Sequence, residues 1–183
     1  MVELKPSLPP TALLPVETAG VRMREVDFGP LTLVMPYRGR DEALAAALEA
    51  AHALDWPETG RMTGTTERGL LWFGRSQALL IGLVPDDGLT AQAALVDQSD
   101  AWAVIEMQGD RAAEALARLT PVDLRPGAFG VGHTVRTEVG HMAASLTRSG
   151  ESTYLVMVFR AFAHTAVHEL GAALEGVAAR HGR

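Results

Sequence analysis

The chain has 183 residues, 48% of them apolar, and a formal net charge of −6, which suits one sizeable folded domain or two small intertwined lobes and argues against a general nucleic-acid binder. It contains no Cys, which removes disulfides, thiolate nucleophiles, iron–sulfur ligation and cysteine zinc sites. Its one lysine, Lys5, sits in a proline-rich leader, so a Schiff-base or P-loop lysine inside a structured site is all but excluded.

Residues 1–20 predict an extended arm, because Pro6, Pro9, Pro10 and Pro15 remove backbone donors and fix φ. Such an arm, centred on Pro9 and Pro10, either lies across a neighbouring subunit or frays. The leader carries Glu3 and no continuous apolar run, so it does not read as a signal peptide. No stretch approaches a membrane span, and the cytoplasm is the expected compartment. Residues 21–183 are expected to form a single α+β domain, or two intertwined lobes over 21–95 and 96–183.

"VRMREVDF" alternates apolar and charged residues and predicts an edge strand, and "LTLVMPY" predicts a second strand ended by Pro36. "RDEALAAALEAAHALDWP" predicts a helix capped by Asp41, with Leu44, Leu48, Ala51 and Leu54 as its stripe and Pro57 beyond its stop. "LLWFGRSQALLIGL" predicts a hairpin turning at Gly74-Arg75-Ser76-Gln77. In "AWAVIEMQ", Ala103, Ile105 and Met107 share one face of a strand; Trp102, Val104 and Glu106 share the other. Asp110 is placed to cap a helix through Ala112, Ala115, Leu116 and Leu119 that Pro121 ends. "HTVRTEVGHMAASLTRSGESTYLVMVF" predicts three strands with turns at Gly140 and Ser149-Gly150, the last strand central because it is apolar on both faces. A final helix from about Ala161 turns Phe162, Ala166, Leu170, Ala173, Leu174 and Val177 to the core. The fold class is α+β, antiparallel sheets with packed helices.

Chemical constellations are few. Gly130-Val131-Gly132 follows a loop and precedes a strand, whereas a dinucleotide fingerprint needs a helix N-terminus for the pyrophosphate. Gly74-Arg75-Ser76-Gln77-Ala78 lacks the last glycine of a nucleophile elbow and joins strand to strand. His164 and His168 lie four apart on one helical face, a metal-ligand spacing without a third ligand, and read better as an exposed or interface-facing stripe. Asp97, Asp100 and Glu106 offer an acid–base set, but Asp97 and Asp100 suit a turn. Arg136, Arg148 and Arg160 fit either an anion or partner contacts. Charge is uneven. Residues 1–128 hold 11 Lys+Arg against 18 Asp+Glu, or −7, and residues 129–183 hold 5 against 4, or +1, with five of the six His.

"WFGRSQALLIG", "LVDQSDAWAVIEMQGDRAAEALARLTPVDLRPGAF" and "RTEVGHMAASLTRSGESTYLVMVFRAFAHTAVHEL" together resemble the gamma subunit of heterotetrameric sarcosine oxidases. The likeness runs from about Leu71 to Leu174 and is most specific at Asp97–Trp102, Leu119–Leu124 and Phe159–Ala163, with Ala161 where that family usually has Ser. The resemblance implies a cytoplasmic complex of alpha, beta, gamma and delta subunits that oxidises the N-methyl group of sarcosine. Its products are glycine, hydrogen peroxide and formaldehyde, or methylenetetrahydrofolate when folate is present. FAD, FMN, NAD and tetrahydrofolate are then expected on the alpha and beta subunits and zinc on delta, with none on this chain. It further implies kinship with the folate-binding aminomethyltransferase fold of the glycine-cleavage T-protein. Those relatives usually carry an Asp-Asp pair on the strand after the turn, where this chain has Ala143-Ala144-Ser145 after Gly140-His141-Met142. The expectation is a non-catalytic structural subunit with no catalytic, cofactor or metal residues of its own; His164, His168, Pro9 and Pro10 are its interface candidates. The alternatives are the matching subunit of an N-methylglutamate dehydrogenase, or a stand-alone folate-binding aminomethyltransferase-like protein.

Overall fold

The computed structural model describes residues 13–181. They form an α+β fold of two antiparallel sheets, as the alternating apolar runs predict. The chain falls into two compact units, one made of residues up to 26, 100–131 and 137 onward, the other of 27–99 and 132–136.

The first unit is built on a six-stranded sheet in the order β1-β2-β8-β11-β10-β9. Its strands are β1 (Val16–Thr18), β2 (Val21–Glu25), β8 (Trp102–Gln108), β9 (Thr134–Val139), β10 (Met142–Gly150) and β11 (Thr153–Phe159). β11 is central and buried on both faces, as its sequence predicts, and pairs with β8 from Thr153↔Gln108 to Phe159↔Trp102. Along β8 every residue from Trp102 to Ile105, and Met107, is buried, and only Glu106 and Gln108 break the run. Two helices accompany this sheet, α2 (Ala112–Leu116) and α3 (Ala163–Arg180).

The second unit holds a five-stranded sheet in the order β4-β5-β6-β3-β7. Its strands are β3 (Leu31–Pro36), β4 (Met62–Gly64), β5 (Gly69–Gly74), β6 (Gln77–Ile81) and β7 (Ala93–Asp97). The helix α1 (Asp41–His52) packs Leu44 and Leu48 against Val34, Leu70, Ala78, Leu80 and Ala93. Each such leucine, fully withdrawn from water, contributes about 1.5–3 kcal/mol. The β5–β6 hairpin turns at the predicted four residues, with Ser76 at φ 52°.

Several local expectations are corrected. β2 is not an edge strand. The prolines stop at Pro15, so Val16–Thr18 is free to pair with β2 and takes the edge. Asp41 does not cap α1: Arg40 occupies that position with no side-chain bond, and Asp41 and Glu42 instead set negative charge in the first turn, where the helix dipole favours it. Ala51 is exposed, since the helix closes on a left-handed Ala53 (φ 54°) and Leu54 re-enters the core after it. Asp110 does not cap α2; Arg111 precedes that helix, and the Asp110 carboxylate accepts the Ser152 hydroxyl at 3.0 Å. α2 itself ends at Leu116, short of the predicted reach. β10 runs through Gly150 and the turn falls at Glu151-Ser152. Phe162 is 44% exposed because a short 3₁₀ turn, Arg160–Phe162, precedes α3 and sets its ring off the helix's buried stripe.

Gly82 sits at φ +70°, and a Cβ there would overlap the Glu67 carbonyl oxygen. Gly82→Ala is expected to cost at least about 2 kcal/mol, comparable to the 2–5 kcal/mol for Leu48→Ala, because strain and overlap act together. Urea unfolding monitored by circular dichroism checks this; an unchanged midpoint for Gly82→Ala would contradict it.

Candidate functional site

The motif-rich turn between β7 and β8 is a structural device. Ser99 donates its N–H and its hydroxyl to Asp97 Oδ1 at 2.9 and 2.6 Å, and Ser99 Oγ accepts the Leu31 N–H at 3.0 Å. The Asx-type turn thereby ties the start of β3 to the end of β7. The Ser99 hydroxyl, then its N–H, hold the Asp97 carboxyl below the ordinary range. Glu106 is not poised as an acid–base partner. It is the cross-strand neighbour of Arg24 and receives that guanidinium on both oxygens, at 2.6 and 3.0 Å.

The three arginines singled out in the sequence differ. Arg148 is buried, donating to the carbonyls of Phe129 (2.8 Å), Gly150 (3.3 Å) and Glu151, with its guanidinium 5.6 Å from the Tyr154 ring centre. Arg160 spans the carbonyls of Asp100 (3.0 Å) and Trp102 (2.8 Å). Arg136 stacks over Phe73 at 4.3 Å, and burial pushes its guanidinium pKa down. Both Arg148 and Arg160 therefore spend their donors on backbone of their own unit. Gly130-Val131-Gly132 forms a turn leading into β9, with Gly132 at φ +81°.

β10, which carries the Ala143-Ala144-Ser145 run, holds no Asp or Glu along its length. Ala143 is exposed, Ala144 and Ser145 are buried, and the Ser145 hydroxyl makes no hydrogen bond. The Ala143 and Ala144 methyl groups accept no hydrogen bond from a pterin and stabilise no iminium. Among the described residues, no three His, Asp or Glu converge as metal ligands.

What remains exposed is a step of aromatic and imidazole side chains where β11 passes into α3. Phe159 ends the strand 40% exposed, stacked on buried Trp102 with centroids 4.4 Å apart and planes at 22°. The backbone N–H of Arg160 bonds Ala101 O at 2.8 Å, and the Arg160 side chain fixes the same loop, so the turn is held from both sides. Phe162, His164 and His168 follow, all exposed, while Ala163, Ala166, Val167 and Leu170 are buried. The two histidines share the solvent face that their spacing predicts. Pro9 and Pro10 lie outside the described residues. Sequence reasoning missed the phenylalanine step because period alone put Phe162 inside; Arg160 and Ala161 before it are good helix formers and carry no signal for the 3₁₀ turn.

The model of the Sarcosine oxidase, gamma subunit family matches residues 38–173. A sarcosine oxidase subunit gamma from Arthrobacter sp. is 33% identical over 166 residues, covering 84% of this chain and 80% of the relative. One from Corynebacterium sp. (strain P-1) is 30% identical over the same shares. Among solved structures, a chain of the heterotetrameric sarcosine oxidase from Corynebacterium sp. U-96, in complex with pyrrole 2-carboxylate, superposes with a TM-score of 0.76 at 25% identity. That superposition covers 91% of this chain and 90% of the other.

The depressed Asp97 pKa has a definite sign. A carboxylate held below its unfolded value of 3.8 adds stability above that pH and loses it as pH falls through the folded pKa. Ser99→Ala should return the Asp97 titration, read by carbon-detected NMR, towards the ordinary carboxylate value. No movement would show that another group holds it down.

Proposed function

Since the chain belongs to the sarcosine oxidase gamma subunit family, we propose that it is a non-catalytic structural subunit of a heterotetrameric oxidase that demethylates sarcosine to glycine. The products are hydrogen peroxide and formaldehyde, or methylenetetrahydrofolate when folate is supplied. The observation that carries this reading is the near end-to-end superposition on one chain of such a heterotetramer, joined to a β10 without carboxylates. The chain also has no cysteine for thiolate chemistry, and Lys5 is its one lysine for a Schiff base.

In this reading the alpha, beta and delta subunits are its partners. FAD, FMN, NAD and tetrahydrofolate belong to alpha and beta, zinc to delta, and the assembly works in the cytoplasm. This chain contributes surfaces. Phe159, Phe162, His164 and His168 form one docking face, rich in the large side chains that concentrate binding energy. The arm around Pro9 and Pro10 is a second candidate contact.

Co-expression with the other oxidase subunits tests the reading. The chain is expected to co-purify stoichiometrically, and sarcosine-dependent peroxide is expected from the complex and not from the purified chain. Turnover by the chain alone, or heat on titrating it with tetrahydrofolate, refutes the non-catalytic role; turnover of N-methylglutamate in place of sarcosine reassigns the substrate. His164→Ala with His168→Ala should weaken assembly about tenfold, on the order of 1.4 kcal/mol, while leaving the fold intact. Unchanged assembly removes that face.

A further inference from the structure

The five-stranded sheet has two unlike borders. At β4 the chain covers its own edge: Met62 N–H donates to Gly132 O at 2.9 Å, and Arg61 bridges His133. At β7 nothing comparable is present among the described residues. Tyr37 N–H to Gln92 O (2.9 Å) and Gln98 N–H to Leu31 O (2.8 Å) frame the β3–β7 ladder. Antiparallel alternation then turns the N–H and C=O of Ala94 and Val96 towards β3 and those of Leu95 and Asp97 outward. Proteins usually blunt such an edge with a proline, a lysine, a bulge or shortness. β1, on the border of the other sheet, is three residues long and follows Pro15. β7 is five residues, Ala-Ala-Leu-Val-Asp, with Val96 40% exposed.

A groove of about 470 Å³ opens beside that edge, lined by Pro30, Thr32, Val84, Pro85, Leu95 and Asp97. Val84 is 75% exposed, an apolar side chain standing in water at the groove wall. Asp97 is the one charged lining residue, and exposed Asp86 and Asp87 follow Pro85 directly. From residue 76 to residue 110 the sequence has no Lys or Arg. The border therefore offers an unpaired backbone template, an apolar slot and negative charge.

We propose that this edge receives an extended segment of a partner subunit, alternating apolar and basic residues, which adds to β7 as a sixth strand. Its backbone bonds Leu95 and Asp97, one apolar side chain fills the groove against Val84, and a Lys or Arg meets Asp97 and the Asp86–Asp87 pair. The assignment rests on the reading of the chain as a structural subunit. A second copy of this chain is a poor occupant, because its own β7 border, with no Lys or Arg from residue 76 to residue 110, brings no cation to Asp97, Asp86 or Asp87.

Amide hydrogen exchange on the full chain, alone and in the co-purified complex, tests the assignment. The Leu95 and Asp97 amides should exchange rapidly in the isolated chain and at least about tenfold more slowly in the complex. Val84→Lys should weaken assembly at least about tenfold, while Val131→Lys, at an exposed valine of the other unit, should not. A complex that forms with these two amides unprotected, or with Val84→Lys assembling as the parent does, overturns the edge assignment and leaves the structural-subunit reading standing. Failure of the chain to join any oxidase complex overturns both. Protection already present in the isolated chain shows the edge occupied by a second copy if it rises with concentration, or by this chain itself if it does not; either overturns the proposal.

Discussion

The pairing of β8 with β11 is the constraint on which the first unit is built. Seven successive register pairs join the two strands, and both strands are buried for nearly their whole length. A shift of one residue would turn every side chain of the shifted strand to the opposite face and undo these contacts. Register also places Arg24 opposite Glu106 and Trp102 opposite Phe159. The ion pair and the aromatic stack are consequences of that alignment, and the turn into α3 is in turn fixed by Arg160 gripping the loop that precedes β8.

Residues that look like chemistry are consumed by construction throughout the chain. Asp97 and Ser99 close a turn onto Leu31, and Arg148 and Arg160 hold carbonyls. Asp123 lies against Arg125, whose side-chain and then backbone hydrogen bonds lower its pKa to about 2. A buried guanidinium with its donors on backbone oxygens is costly to expose and has little left to offer an anion. Among the described residues, Arg148 is the one charged residue among the buried side chains, whereas Phe159, Phe162, His164 and His168 are exposed.

Sequence patterns made much of this legible. Alternation located β2, the apolar runs "LTLVMPY" and "AWAVIEMQ" located β3 and β8, and the two-faced apolar run of β11 announced a central strand. The β5–β6 hairpin followed from two apolar runs about Gly74–Gln77. β4 was hidden because three residues carry no period, and β7 because Ala93-Ala94 has weak strand preference and its acidic end reads as a turn. Neither Asp41 nor Asp110 is a cap, because the capping position falls at Arg40, one residue before the first, and at Arg111, one residue after the second, a backbone fact that residue type does not disclose. The His164/His168 face was visible as a spacing of four, whereas the phenylalanines beside it required the 3₁₀ turn to be seen. Glu106 looked catalytic only while its cross-strand cation was unknown.

The stack of Phe159 on Trp102 bears on how quickly and how tightly a neighbour could settle there. One ring is sunk in the interior and the other lies flat upon it, so the outer ring has already surrendered most of its rotational freedom before any encounter. A neighbour landing on it meets a hard, ready-shaped surface and forfeits little disorder in doing so, which favours slow release over fast arrival.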